Sequence, residues 1–326
     1  MNKHFWKGKK VLITGFEGFL GSDLTKTLLC SGAKIYGLDI KIRRKDTILS
    51  AADYKKLTII KGSIANYSLV ESIIRKNKIN IVFHIAAEAI VGKCQNNPLR
   101  AFSTNIKGTW NILEACRDAK NIQAVVLASS DKAYGAHKKL PYTEKAPLQG
   151  NHPYDVSKSC ADLLAYTYAH TYGLPVTVTR CGNIYGPGDF NFSRIVPDAI
   201  RCALRGKRLL IRSDGKFTRD YVFIEDIVNG YIMLAEKLQK LKLGGEAFNF
   251  SDENPLTVIE LVNTIFKLVN NKLNYKILNK AKYEIKHQYL ASAKARKMLG
   301  WKPKFPILAG LSRTIASYKD YYKKRG

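Results

Sequence analysis

Short, uninterrupted blocks of β-branched and apolar residues recur through the first half of the chain. Between them lie longer stretches in which apolar positions return every third or fourth residue. The blocks predict strands covered on both faces, over 11–14, 34–39, 57–61, 80–84, 124–129 and 176–180. The periodic stretches predict amphipathic helices over 19–31, 68–77, 98–119 and 154–172. Strand and helix alternate, and crossovers between parallel strands are almost always right-handed. Such a series winds into an open parallel sheet with helices on both faces, so the expected fold class is doubly wound α/β.

The alternation breaks after Gly182-Asn183-Ile184-Tyr185-Gly186-Pro187-Gly188. Two loop-rich regions follow, over 189–218 and from 251 to the end. Between them, 219–224 and the helix that follows predict a return to the sheet. Thr257-Val258-Ile259-Glu260 predicts a capping box opening one more helix. The expected organisation is a sheet domain over 1–185 to which 219–250 returns. A smaller, discontinuous C-terminal lobe covers 186–326, mainly 186–218 and 251–326.

Composition narrows the class. In a chain of 326 residues, 46% apolar and 25% charged residues exclude a disordered or fibrous protein. The longest apolar stretch, 79–92, is interrupted by Asn80, His84 and Glu88 and is too short to cross a bilayer. The basic N-terminus lacks the apolar core of a signal peptide. The six cysteines form no Cys-x-x-Cys pair. No metal site is expected, and a reducing cytoplasm is the expected location. The formal charge of +28 raises a polyanion-binding reading. Its lysines are spread over helix surfaces, as in Lys237-Leu238-Gln239-Lys240-Leu241-Lys242, so nucleic acid is not the expected partner.

Thr14-Gly15-Phe16-Glu17-Gly18-Phe19-Leu20-Gly21 joins the first strand to the first helix. Glycines 15, 18 and 21 suit a tight turn, close approach of backbone to a pyrophosphate, and close helix–strand packing. The N–H groups of Phe19, Leu20 and Gly21 lie at the positive end of the helix. This is a Rossmann arrangement. Asp39 closes the second strand, where a carboxylate binds an adenosine ribose and repels a 2′-phosphate. NAD is therefore expected over NADP, with Lys41, Arg43 and Arg44 read as a solvated loop.

A second chemical feature ends the 124–129 run: Ser129-Ser130-Asp131-Lys132-Ala133-Tyr134-Gly135. Downstream, Tyr154 and Lys158 stand four residues apart on a predicted helix and project from one face. If these groups converge, one site holds a hydroxyl, a Tyr/Lys pair and a separate acid/base pair.

With these motifs the chain resembles the extended short-chain dehydrogenase/reductase family, and within it the nucleotide-sugar epimerases and 4,6-dehydratases. The resemblance spans nearly the whole chain. It includes His84-Ile85-Ala86-Ala87, Asn105-Ile106-Lys107-Gly108-Thr109, Arg180-Cys181-Gly182-Asn183, Arg219-Asp220-Tyr221-Val222-Phe223-Ile224-Glu225-Asp226 and Lys294-Ala295-Arg296-Lys297-Met298-Leu299-Gly300-Trp301. It implies that Tyr154 is the base for a sugar 4-hydroxyl, that Lys158 holds the nicotinamide ribose, and that Ser130 bonds the same sugar oxygen. It also implies that Ser63, Ile64, Ala86, Ala87 and Asn105 belong to the cofactor cleft. Asn183 and Arg219 would serve the substrate diphosphate, Arg194 would lie in a segment around the nucleoside, and the chain would form a homodimer.

Asp131-Lys132 distinguishes the subclasses. A 4-epimerase needs only oxidation and reduction at C4, whereas a dehydratase also needs a base at C5 and an acid at C6. Asp-Lys at this place resembles CDP-glucose 4,6-dehydratases and the inverting UDP-N-acetylglucosamine dehydratases, which implies Lys132 as base and Asp131 as acid. The 5–15 opening also resembles CDP-glucose dehydratases, while Arg219-Asp220-Tyr221-Val222 is closer to the generic epimerase and thymidine-sugar dehydratase pattern. Ser63 stands where the family usually has an Asp for the adenine amino group, and Glu88 where a neutral residue is more usual. The expected function is an NAD-dependent 4,6-dehydratase acting on a nucleotide-diphosphate hexose. A 4-epimerase is the first alternative and a non-catalytic sugar-nucleotide or polyanion binder the remote one.

Overall fold

The computed structural model describes residues 2–43, 46–281 and 284–323, so Arg44 lies outside the described residues. Among these, seven strands form one parallel sheet: β1 (Lys10–Thr14), β2 (Lys34–Asp39), β3 (Leu57–Lys61), β4 (Ile81–His84), β5 (Ala124–Ala128), β6 (Val176–Cys181) and β7 (Ala247–Phe250). Their spatial order is β7-β6-β5-β4-β1-β2-β3. The chain builds outward from β1 to β3, then crosses back to lay β4 on the other side of β1. The reversal opens a crevice at the carboxyl ends of β1 and β4, where open α/β sheets bind ligands. Thr14 pairs with Leu38 on one side and His84 on the other, so both strands end level at that crevice.

Both faces of the sheet are buried, as the continuous apolar runs require. Val11, Ile13, Phe83 and Val126 enter one core, and their chain neighbours Leu12, Val82 and Val125 enter the other. The first core continues into the C-terminal part through Phe223, Phe248, Phe250 and Trp301. The capping box stands as expected: Thr257 Oγ1 accepts from the Glu260 N–H at 3.2 Å, and Glu260 accepts from the Thr257 N–H at 2.8 Å.

Two expectations are corrected. The predicted helix 98–119 is Pro98–Phe102, a single π-helical stretch Ser103–Lys107, and Gly108–Asp118. The bulge inserts a residue into the helical repeat, the kind of local expansion associated with functional sites. Residues 219–224 do not join the main sheet. Tyr221–Phe223 instead runs parallel to Asn183–Tyr185, and Thr218–Arg219 pairs with Leu256–Thr257 and His287–Gln288. The approach is close at Gly182, where a Cβ would stand 2.3 Å from the Asp220 carboxylate. Glycine there lets Asp220 sit beside the end of β6, from which Tyr221 runs along Asn183. Of 219–250, Ala247–Phe250 alone enters the large sheet, beside β6.

The helix Pro153–Tyr172 starts on a proline at its first turn and stops at Gly173, whose φ of 66° fits the left-handed C-terminal residue. Its buried Asp162 receives two nitrogens of Arg180, at 2.7 and 3.1 Å, from the end of β6. A third nitrogen of Arg180 donates to the Tyr134 hydroxyl at 2.8 Å, which donates to Asn249 of β7 at 2.7 Å. The Asn249 amide donates on to the carbonyls of Tyr142 and Ala291 at 2.9 and 3.2 Å. One buried ion pair therefore ties helix, sheet and C-terminal segment together. Asp162→Ala strands the Arg180 charge in the interior and is expected to cost about 3–5 kcal/mol. Urea unfolding monitored by circular dichroism checks this, and a loss below about 1 kcal/mol contradicts the assignment.

Candidate functional site

The turn after β1 is shaped by close backbone approaches. Gly15 has φ 72°, and a Cβ there would lie 3.0 Å from the Ala86 backbone; at Gly21 it would lie 2.0 Å from the Gly15 carbonyl oxygen. Gly18 stands at the N-terminus of the helix Phe19–Leu29, which no side chain caps. Its leading N–H groups, from Phe19, Leu20 and Gly21, are those that an anion can receive. Asp39 is buried at the end of β2 and accepts from the Lys41 N–H at 3.2 Å. The Arg43 guanidinium lies over the Tyr54 ring at 5.6 Å, and the Arg43 backbone N–H donates to Glu17 at 2.7 Å. Ser63 Oγ accepts from the Ala65 N–H at 3.1 Å. The neighbouring Ile64 is buried, its side chain filling the space a Cβ on Gly108 would need.

A polar chain crosses the crevice floor. Thr14 Oγ1 accepts from the N–H groups of Ile85 and Ala86, both at 3.1 Å, so its own proton goes to His84 Nδ1 at 2.8 Å. The imidazole then carries its proton on Nε2 and donates to Thr109 Oγ1 at 3.1 Å, which donates to the Asn105 carbonyl at 2.6 Å. Burial, with Lys158 adding repulsion, pulls His84 down to about 3, so the ring stays neutral.

Asn105 sits in the π-helical stretch. Its amide donates to the Glu88 carbonyl at 3.1 Å and to Ser157 Oγ at 2.9 Å, and accepts from the Glu88 N–H at 2.8 Å. Ser157 in turn donates to the Tyr154 carbonyl at 2.7 Å. Both Asn105 donors are used internally. It shapes the wall that carries Ala86, Ala87 and Glu88. The Glu88 carboxylate reaches Arg100 at 3.4 Å.

Ser130, Asp131, Lys132, Tyr154 and Lys158 converge as the sequence led us to expect. Ser130 caps the short helical turn Asp131–Tyr134 by accepting from the Lys132 N–H at 3.2 Å, and its hydroxyl donates to Asp131 at 2.9 Å. Ser159 binds this turn to the helix Pro153–Tyr172 by donating to the Ala133 carbonyl at 2.8 Å. Lys158 is buried, donates to the Ala128 carbonyl at 2.7 Å and lies 5.9 Å from the centre of the Tyr154 ring. Burial lowers Lys158 to about 8, against the pull of Asp162. Burial also raises the Tyr154 hydroxyl, an effect partly offset by its hydrogen bond with Ser130. Lys132 is lowered by burial and then by Arg219, with Asp131, Asp155 and Glu284 acting the other way. Asp155, buried beside Tyr154 in the chain, is raised to about 6 by burial, against Lys132 and His152.

Gln288 was missed by sequence reasoning. It is fully buried, accepts from Lys132 Nζ and donates to the Asp131 carbonyl at 2.8 Å. An isolated Gln in a loop-rich segment carries no signal of this. Thr109, four residues after Asn105 on an otherwise apolar helix face, could have been found as a polar pair at helical spacing.

The expected substrate residues divide. Arg219 is buried, and its guanidinium donates to the carbonyls of Thr218, Lys286 and Ile285. Those partners carry no net charge, so its positive charge is uncompensated by them. Arg194 pairs with Asp189 at 2.5 Å and donates to the Ile184 carbonyl at 2.6 Å, so its charge is already neutralised. Asn183 begins the short strand beside Tyr221, its N–H on the Asp220 carbonyl at 3.0 Å.

A parallel sheet with its glycine turn at the strand reversal, and a Tyr/Lys helix beside a Ser turn, define the extended short-chain dehydrogenase/reductase class. A family model described as GDP-mannose 4,6 dehydratase matches residues 12–314, and the chain belongs to that family of nucleotide-sugar dehydratases and epimerases. It is 30% identical to a CDP-glucose 4,6-dehydratase of Salmonella typhimurium, over 99% of this chain and 94% of the relative. It is 31% identical to a UDP-glucuronate 4-epimerase of Thermodesulfobacterium geofontis, over 95% and 96%. The crystal structure of dTDP-glucose 4,6-dehydratase from Bacillus anthracis in complex with NAD superposes with a TM-score of 0.87 at 28% identity, covering 97% of this chain and 98% of that one.

The buried lysine has a measurable signature. Below about pH 8 folded and unfolded chains both hold the Lys158 proton, and the full cost of burying that charge is present. Between about 8 and the ordinary 10.5 only the unfolded chain keeps the proton, so stability climbs with pH. Relative to Lys158→Met, the wild-type protein is expected to gain about 3 kcal/mol across that window. Urea unfolding of both proteins at several pH values tests this, and a constant difference refutes it.

Proposed function

We propose that this enzyme is an NAD-dependent nucleotide-sugar 4,6-dehydratase. The observation that carries the reading is the Asp131-Lys132 turn, in which Ser130 bonds both Asp131 and Tyr154 and the half-buried Lys132 nitrogen is held on Gln288. The glycine turn fits a dinucleotide, since Cβ atoms at Gly15 and Gly21 would collide with the Ala86 and Gly15 backbone and forbid the tight turn that brings backbone N–H groups to a pyrophosphate. Gly15, Gly18, Phe19, Leu20 and Gly21 would hold the pyrophosphate and Asp39 the adenosine ribose. Ser63 and Ile64 would border the adenine, and Ala86, Ala87 and Lys158 the nicotinamide side. When bound, the nicotinamide would supply the acceptor for the C4 hydride and the donor that reduces C6, with the protonated Lys132 giving a proton back to C5.

Tyr154 takes the proton of the C4 hydroxyl, and the Lys158 ammonium nearby stabilises the phenolate. With substrate bound, the Ser130 hydroxyl would turn from Asp131 to donate to the oxygen as it becomes a ketone. The ketone acidifies C5. Lys132, as a free amine, removes the C5 proton, and the electron pair of that bond passes into the enolate. Collapse of the enolate forms the C5–C6 double bond and expels the C6 hydroxyl, which takes a proton from Asp131 and leaves as water. Arg219 and Asn183 would meet the diphosphate, with Arg194 buttressing the loop between them.

The same scaffold supports a second reading, favoured by the 31% identity to a 4-epimerase: oxidation and reduction at C4, with Asp131-Lys132 idle. Incubation of CDP-glucose, UDP-glucose, dTDP-glucose and GDP-mannose in D2O separates the two. Loss of water with deuterium at C5 is the expected outcome, and Lys132→Ala is expected to lower that turnover by about 10²–10⁴-fold. Inversion at C4 with the C6 hydroxyl retained defeats the dehydratase reading.

We also infer a homodimer in the cytoplasm, formed through the outer faces of Pro98–Phe102, Gly108–Asp118 and Pro153–Tyr172. Leu99 and Leu163 stand 80% and 56% exposed there, alongside Trp110 and Tyr166. Light scattering is expected to give twice the chain mass and to fall to one chain mass in Leu163→Asp. A monomeric wild type removes this inference.

A further inference from the structure

Gln288 joins the C-terminal lobe to the acid/base turn from 156 residues away, with no exposed surface of its own. Its two ends are not interchangeable. The Asp131 carbonyl can only accept, and at 2.8 Å it takes the Nε2 end of the amide. That leaves Oε1, which can only accept, facing Lys132 Nζ. The amide is thereby oriented before any ligand arrives. Its own strand pairs beside Arg219, whose guanidinium is bound to carbonyls of the same segment.

We propose that Gln288 is the positioning residue for Lys132, holding one N–H of that side chain on a neutral acceptor so that the nitrogen lone pair is turned away from the amide. The proposal rests on the dehydratase reading, in which Lys132 removes the C5 proton. A carboxylate in the same place would also hold the lysine, but it would favour the ammonium form, which cannot accept a proton. A neutral amide orients either form without adding charge. The charged groups facing Lys132 are Arg219 from the adjoining strand, Asp131 from its own turn, Asp155 from the helix Pro153–Tyr172, and Glu284 from the C-terminal segment. One cation and three carboxylates already surround it, so a fourth carboxylate would shift the balance further toward the protonated lysine.

Two near-isosteric variants test this with opposite signs. In protein carrying lysine labelled with carbon-13 at Cε, the Lys132 resonance is assigned by its loss in Lys132→Met. Its titration midpoint is expected to rise by about one pH unit or more in Gln288→Glu and to fall in Gln288→Met. With whichever of the four sugar nucleotides the wild type dehydrates, deuterium uptake at C5 in Gln288→Met is expected to fall at least about tenfold further than C4 oxidation, followed by absorbance of the reduced cofactor. The pH–rate limb belonging to the base should move with the NMR midpoint. An unmoved Lys132 midpoint in both variants overturns the proposal, as does C5 uptake that falls no further than C4 oxidation. Absence of dehydration by the wild type defeats the dehydratase reading instead, and the NMR titration still decides whether Gln288 controls Lys132.

Discussion

The Arg180–Asp162 pair is the constraint on which the site's geometry depends. A guanidinium taken out of water needs a carboxylate and further acceptors around it, and satisfying them fixes several elements at once. Asp162 sets the height of the helix Pro153–Tyr172 against the end of β6. Ser129, which also donates to Asp162, fixes the start of the turn that carries Ser130, Asp131 and Lys132. Tyr134 closes that turn and passes the network to β7 through Asn249. The Tyr/Lys face and the acid/base turn therefore cannot move independently. Their separation is set from beneath, by an ion pair that touches neither Tyr154 nor Lys132.

The crevice floor is built on a similar principle with neutral groups. Thr14, His84, Thr109 and the Asn105 carbonyl form one directed series of hydrogen bonds, and the Asn105 side chain begins a second through Ser157 to the Tyr154 backbone. The direction of the first is fixed because Thr14 already receives two backbone N–H groups and has one proton to give. The π-helical stretch brings Asn105 to where its amide can clasp Glu88 and Ser157 together. Those clasped residues lead directly to Ala86, against which Gly15 packs. Cofactor turn and Tyr/Lys helix are thus mechanically connected. Burying both Lys132 and Lys158 weakens their hold on protons, which suits one for basic chemistry and leaves the other near a balance at about pH 8.

Much of the framework was legible along the chain because it has local causes. Strand positions followed from apolar runs, and they differ by a residue at their ends, where pairing rather than composition decides. The glycines of the first turn were identifiable because a small set of backbone conformations demands them. Tyr154 and Lys158 were identifiable because helical spacing puts them on one face. The long helix over 98–119 was readable, but its π-helical stretch was not, since an extra backbone residue leaves the hydrophobic repeat nearly intact. The departure of 219–224 from the main sheet was also invisible. It goes with Asp220 packing on Gly182, two residues far apart in the chain whose contact carries no periodic pattern.

Sequence alone determined the class of fold, the dinucleotide turn and the residues that meet at the strand ends, because each rests on spacing within one element or across one loop. Tertiary structure decided which of those residues are free. It engaged Arg194 with Asp189, used both Asn105 donors inside the protein, left Arg219 charged among carbonyls, and placed the Gln288 amide on Lys132. The reason is physical. A side chain's type states what it can bond, but only the folded neighbourhood determines which of its bonds are already made, and burial then sets the proton affinity of what remains.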